Sequence, residues 1–326
     1  MTGFKVILAV PARFGQAAEE FIYSCQMSLA EIPSAALLIG RERNSLPSPK
    51  ELTPDTLLMG GIASELGLEL AHLAASANIL HLEVGALGNE VLGPNTLRLT
   101  GGVDQTVEIA RAAVSDSAYI LAEDSQFGES VVGAWKEVQP GFRVAERLDP
   151  SSTNVDLSST KAEIVAIARP PLPENICEIL AASSSERWIL GIGSWGRRVV
   201  GDAIAGTRVR VRFVDVLPST MLSTEHLKEH IRRSLSVHLR TRKSVYGDLG
   251  WAAGLFIHQA VTLFGTKHVS EELRSIRLSV TETGFGHGVV FGSDGRNTSA
   301  KKWLLRWRGS EVTLGTNEMR CGSANR

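Results

Sequence analysis

Two stretches of the sequence have the residue types and spacing of chemistry. Gly191-Ile192-Gly193-Ser194-Trp195-Gly196 is a GxGxxG that follows an apolar run, with Asp215 at the end of the next one. In a dinucleotide site such glycines admit a pyrophosphate to a helix N-terminus, and the acid takes the ribose hydroxyls. The reading as a nicotinamide-dependent oxidoreductase using Gly191–Gly196 is weakened because the chain holds 31 glycines and no further βα pair follows Asp215. The second stretch, His226-Leu227-Lys228-Glu229-His230, places two imidazoles at i and i+4 on an expected helix, the spacing of an inverted zinc-peptidase motif. Lys228, Arg232, Arg233, His238, Arg240, Arg242 and Lys243 accompany them, and a cationic surrounding opposes a bound Zn²⁺. A solvated basic face accounts for this run, and neither a metal nor a cofactor is expected. Arg208, Arg210 and Arg212 alternate with Val209, Val211 and Phe213, as on an edge strand or one exposed on one side.

The elements that must position any site follow from hydrophobic periodicity. Short apolar runs at 5–10, 36–39, 56–59, 79–82, 96–99, 118–122, 144–148, 164–168, 188–192 and 209–216 read as strands. They alternate with helical patterns at 17–32, 64–77, 104–114, 128–138 and 173–182. That alternation predicts an α/β protein with parallel sheets covered on both faces. Beyond Pro218 two long helices are expected, at 223–241 and 246–263, then strands near 289–291 and 303–307 with the turn Ser293-Asp294-Gly295-Arg296 reversing the chain between them. The Pro/Ser-rich patch at 44–54 leaves little room for a helix between the second and third strands, and the tail from 316 is expected to fray.

Composition bounds the class. The 326 residues suffice for about two domains. With 43% hydrophobic residues the chain can bury sizeable cores, and a net charge of −1 gives no global field to draw it to nucleic acid or an anionic membrane. No apolar stretch approaches the roughly 20 residues of a membrane helix. Cys25, Cys177 and Cys321 form neither a disulfide framework nor a zinc pattern, and read as buried or incidental thiols.

Taken in order, several segments carry a resemblance. They are Leu57-Leu58-Met59-Gly60-Gly61-Ile62-Ala63-Ser64, the strand and loop 79–87, Leu97-Arg98-Leu99, Asp124-Ser125-Gln126-Phe127-Gly128-Glu129-Ser130, residues 191–195, residues 246–253, and Val290-Phe291-Gly292-Ser293-Asp294-Gly295-Arg296. In this order and spacing the chain resembles the type I periplasmic-binding fold, specifically the Leu/Ile/Val-binding solute-binding proteins. The resemblance implies two doubly wound parallel-sheet lobes joined by three crossing strands, 1–99 with 218–300 and 100–217 with 301–326. It also implies a ligand cleft between the lobes, hinge closure on binding, and a binding rather than an enzymatic role. Ser64 falls at the helix N-terminus that takes the ligand's carboxylate or amide oxygen, and Gly85, Ala86 and Leu87 fall on the loop that supplies backbone donors and acceptors. Phe14, Phe127 and Tyr246 match aromatic walls, and the facing lobe's loops carry Arg169 and Ser194.

Where amino-acid binders of this family place a carboxylate near Gly193 and Ser194, this chain has none. Asp124 and Glu83 are the acids that could stand in, and Arg169 would instead favour an acidic ligand. The partners implied are a small-molecule ligand and, for an exported protein, an ABC permease. A periplasmic location is expected from the family, although the sequence begins almost directly at the first strand without a signal peptide. The alternative is a cytoplasmic ligand sensor of the amide-sensing kind.

Overall fold

A computed structural model describes residues 4–30, 36–40, 46–60, 62–150, 157, 163–182, 185–242, 244–266 and 268–315, the side chains of 36–40 excepted. The expected end of the first helix at 31–32, residues 44–45, Gly61, Lys243, Cys321 and the tail from 316 lie outside the described residues. The chain divides into two compact units, Met1–Gly102 with Val216–Lys301 and Val103–Asp215 with Lys302–Arg326. It therefore passes from one unit to the other three times.

In chain order the first unit opens with β1 (Lys5–Ala9), α1 (Gln16–Leu29), β2 (Ala36–Gly40), β3 (Thr56–Gly60), α2 (Ser64–Ala77), β4 (Leu80–Glu83) and β5 (Thr96–Arg98). The second unit follows with α3 (Val103–Ala112), β6 (Tyr119–Glu123), α4 (Gln126–Val138), β7 (Glu146–Leu148), β8 (Ile164–Ala168), α5 (Leu172–Ala181), β9 (Arg187–Gly193), α6 (Arg198–Ile204) and β10 (Val209–Asp215). The chain returns to the first unit for α7 (Glu229–Thr241), α8 (Val245–Phe264), α9 (Val269–Glu272), β11 (Arg277–Leu278) and β12 (Val289–Val290). It closes in the second with β13 (Trp303–Arg308) and β14 (Glu311–Leu314).

The first sheet runs β2-β1-β3-β4-β5, all parallel; the second runs β14-β13-β10-β9-β8-β6-β7, parallel from β10 to β7 with β13 and β14 antiparallel. Both contain the doubly wound order in which the second strand lies outside the first and later strands add on the other side. The reversal falls between β1 and β3 in one unit and between β6 and β8 in the other. At such a switch point the loops after the two strands diverge to opposite faces and leave a crevice at the carboxyl edge.

Local chemistry sets the helix ends. Ser125 and Ser244 cap α4 and α8, their hydroxyls accepting from Gly128 N (3.2 Å) and Gly247 N (3.3 Å), each cap worth roughly 1 kcal/mol. Asn78, left-handed at φ 51°, stops α2. In the first unit α8 lies against α1 so closely that a Cβ on Gly250 would strike the Phe21 carbonyl and one on Gly254 the Ser28 hydroxyl. Helix α7 is tied to α8 through buried Asp248, which accepts from Arg242 Nε (2.9 Å), pairs with His238 Nε2 (2.8 Å) and takes the Ser219 hydroxyl. Burial pushes the Asp248 carboxyl up, but these hydrogen bonds and the Arg242 charge hold it below its ordinary value.

Three expectations are corrected. The helix expected from 223 starts only at Glu229: a 3-10 turn holds Thr224–His226, and Lys228 is extended, its N–H given to Thr281 O (3.2 Å) and its ammonium to Glu282 (2.6 Å). His226 and His230 therefore do not share a helix face. Of the two readings of the 208–213 alternation the edge falls, since β10 is an interior strand between β9 and β13, with Arg208 and Arg210 exposed and Arg212 buried. The turn at 293–296 does fold back locally, with Phe291 against Asn297, but β12 pairs with β11 and β13 joins the other sheet. Between β2 and β3 the described residues hold only a 3-10 turn, Pro49–Glu51, closed by a Ser48/Glu51 capping box.

Candidate functional site

In the first unit the predicted residues gather on the carboxyl edge of the sheet around the β1/β3 switch. Phe14 ends the 3-10 turn after β1, Ser64 opens α2 after β3, and Gly85, Ala86 and Leu87 form the loop after β4. Tyr246 lies in the first turn of α8, its ring edge-on to Phe14 with centroids 5.8 Å apart. Both rings belong to the unit's main apolar core, and Leu249, one turn along α8, approaches Gly85.

The loop after β4 is held internally. Glu83, the last residue of β4 and fully buried, turns its Oε1 to accept the N–H groups of Gly85 (2.9 Å) and Ala86 (2.8 Å). Ser64 Oγ accepts from Gly88 N (3.3 Å), and Arg98 donates to Gly88 O and to Asn89 Oδ1 (3.2 Å). This corrects two expectations. The donors of Gly85 and Ala86 are committed to Glu83, and Glu83 is an internal tie, with Oε2 3.7 Å from His81 Nε2 and packed beside Gly67. Burial pushes Glu83 up to about 8, against the pull of the Ala86 N–H and the Arg98 charge, and lowers His81 to about 3, with Arg98 adding to the effect.

In the second unit Phe127, Arg169 and Ser194 come together at the carboxyl ends of β6, β8 and β9, which are neighbours in the sheet. Glu123, which ends β6, takes the Arg169 N–H on Oε2 (2.7 Å) and the guanidinium on Oε1, with Nε at 2.8 Å and Nη2 also in contact. Arg169 Nη2 further reaches Ser125 Oγ (3.1 Å), and the guanidinium lies over the Phe127 ring, 4.8 Å from its centre. Arg169 is only 4% exposed and its charge is answered by Glu123, so it is not the free cation that would select an acidic ligand. Asp124, next to Glu123 in sequence, is exposed, and its N–H goes to Leu148 O (2.7 Å). Gly193, at φ 112°, abuts the Ala168 carbonyl and the edge of Phe127, and the Ser194 N–H donates to Ala168 O (3.3 Å).

Glu123 was not among the predicted site residues. Its signal was an acid closing an otherwise apolar strand, the same pattern that Glu83 makes in the first unit.

The GxGxxG has a packing explanation. The fully buried indole of Trp195 lies directly on Gly191, where any Cβ would strike it, and α6 starts only at Arg198. Asp215 is engaged by Lys302 at 3.9 Å rather than left for a ribose. Cys25 and Cys177 are buried, which pushes Cys25 far up and Cys177 to about 12, so neither is a ready thiolate. Among the described residues no three His, Cys, Asp or Glu side chains gather as a metal would need, and no helix is long and apolar enough to cross a membrane.

Two α/β units of this winding, with the chain passing three times between them, define the type I periplasmic-binding fold, and comparison with solved structures gives the same result. The chain is similar to the branched-chain amino acid transporter substrate-binding protein LivJ from Streptococcus pneumoniae, solved with isoleucine (TM-score 0.77, 10% identity, 96% of this chain and 98% of that one). It is similar to the leucine-binding protein LivK from Thermotoga maritima (TM-score 0.75, 13% identity, 96% and 97%). A solute-binding protein of an ABC transporter from R. palustris, solved with benzoate, matches at TM-score 0.73 and 15% identity over 96% and 95%. This chain has the fold of the Leu/Ile/Val-binding proteins. At the level of sequence it matches no family model and no curated protein.

Proposed function

We propose that this chain captures a small polar molecule with an apolar body, such as an amino acid, an amide or a related compound, between its two units. The units close upon it about the three crossings, and an ABC permease receives it. The observation that carries this reading is the gathering of the predicted residues at the switch point of each sheet, Phe14, Ser64 and Tyr246 in one unit and Phe127, Arg169 and Ser194 in the other. The solved structures of the same fold with isoleucine and with benzoate support it.

The chemistry of the two clusters narrows the ligand. A hydroxyl both accepts and donates, so Ser64, accepting from Gly88, keeps its O–H for a ligand oxygen. Phe14, Tyr246 and Phe127 offer flat apolar walls. Because Glu123 already answers Arg169, a neutral or zwitterionic ligand suits the second cluster better than a dianion. Thermal-shift screening against amino acids, amides and aromatic carboxylates, followed by small-angle scattering, tests the reading. At least one compound is expected to raise the melting temperature and contract the scattering envelope. Failure of all to bind, with superimposable scattering curves, would overturn it.

A further inference from the structure

The alternating arginines of β10 have no part in the switch-point clusters, yet Arg210 and Arg212 line a hollow in the second unit, at the end of its sheet away from Arg169 and Ser194. The antiparallel ladder between β10 and β13 runs from Asp215↔Trp303 to Arg212↔Arg306 and stops there, although both strands continue. The strands part, and a cavity of about 440 Å³ opens in the wedge, lined by Trp188, Val209, Val211, Trp307 and the arginines 210, 212, 306 and 308, with residues 204–207 and Gly309 completing the wall. That volume is within the range of small-molecule sites. Among the described residues, none that lines it is acidic.

The arrangement is costly as it stands. Register and alternation put Trp188, Arg210, Arg212, Arg306 and Arg308 on one face of the sheet, with Arg212 and Arg306 directly opposite across the antiparallel pair. Like charges in that relation repel. Arg212 is 2% exposed; its Nη2 is satisfied by Ala113 O (2.6 Å) and Glu163 (3.0 Å), while among the described residues its Nε and Nη1 meet no hydrogen-bond partner. Its guanidinium lies 5.9 Å from the centre of the Trp188 ring. Arg210 reaches Thr207 O (3.0 Å) and Glu186 (3.5 Å) and is exposed, as is Arg308. Unsatisfied guanidinium donors on a residue that lines a basic, partly aromatic hollow are complementary to an oxyanion, whose oxygens accept from the planar fork.

We propose that the wedge between β10 and β13 is a binding site for a small organic anion with a flat apolar body. Its carboxylate or phosphate oxygens meet Arg212, Arg306 and Arg308, and its body lies against Trp188. This site is separate from the switch-point clusters and does not depend on the solute-binding reading. Titration of the full chain with phenyl phosphate and with isophthalate, followed by tryptophan fluorescence and calorimetry, tests it; inorganic phosphate and phenol are the controls.

Saturable binding of at least one aromatic anion is expected, weakening as salt rises, with inorganic phosphate and phenol both at least tenfold weaker. Which of the two anions binds tighter decides between phosphate and carboxylate. The exposed arginines allow variants that keep the fold, and Arg210→Gln with Arg308→Gln should weaken binding by about tenfold, while Trp188→Phe removes most of the fluorescence change. No saturable binding up to about 10 mM, or binding that the double variant leaves unchanged, would overturn the proposal.

Discussion

Glu83 and Glu123 close their strands in the same way and meet different company. Glu123 has a cation in contact, and the pair is buried with Arg169 at 4% exposure. Removing one partner of such a pair leaves the other charge without compensation, so Glu123→Gln should cost about 3–5 kcal/mol of stability, measured by urea denaturation. A loss under about 1 kcal/mol would mean that Arg169 finds solvent or another acceptor. Glu83 is pushed up to about 8, so the folded state holds its proton more tightly than the unfolded one, whose carboxyl titrates near 4.5. Its contribution is complete below that unfolded value and is lost as pH rises toward 8. His81, lowered to about 3 from 6.5, acts in the opposite sense: stability falls as pH drops below 6.5. Between the two, from pH 6.5 to 8, Glu83 acts alone of the pair. The melting temperature should fall across that window in the wild type and fall less in Glu83→Gln, which keeps an acceptor for Gly85 and Ala86; parallel curves for the two proteins would refute the assignment.

At the scale of elements, the meeting of α1 and α8 depends on absent side chains. Gly250 and Gly254 let α8 approach the backbone and hydroxyls of α1. Overpacking such a contact forces backbone shifts, so Gly250→Ala should destabilise by about 1–3 kcal/mol even though alanine favours the helix more than glycine. An unchanged or raised denaturation midpoint would show that the helices can part without loss. The same scale separates what was legible in the sequence from what was not. Strands such as Ile164–Ala168 announce themselves because a strand buried on both faces is an unbroken apolar run. The Arg208–Phe213 alternation misled in part: it left an edge and a strand exposed on one side both open, and the edge falls because the pairing with β13 spans about ninety residues that no local window sees. The start of α7 misled likewise: the basic periodicity continues upstream of Glu229, but Lys228 is held by Thr281 and Glu282, more than fifty residues away. The candidate residues were legible as loop positions after strands; the commitment of the Gly85 and Ala86 donors to Glu83, and of Arg169 to Glu123, was not, since both depend on which way a buried carboxylate turns.

For the whole molecule, the proposed capture makes a claim about cooperativity that a site within one unit would not make. A ligand that binds only the native state stabilises it by about 2.7 kcal/mol when present at a hundred times its Kd. If the Phe14–Ser64–Tyr246 and Phe127–Arg169–Ser194 clusters hold the same molecule, unfolding of either unit must release it, and the ligand stabilises both. A ligand seated in one unit stabilises that unit alone. The tryptophans allow the two to be followed separately: Trp251 is in the first unit, and Trp135, Trp188, Trp195, Trp303 and Trp307 are in the second. In a Trp251→Phe variant, tryptophan emission reports the second unit only, while far-ultraviolet circular dichroism reports both. With a compound identified by thermal shift, both signals should move to higher temperature together, and Tyr246→Ala, a change confined to the first unit, should abolish the ligand-induced shift seen by the tryptophans of the second. If the second unit's emission melts at the same temperature with and without that compound, the molecule is not shared between the units, and the capture reading fails even if binding itself is real.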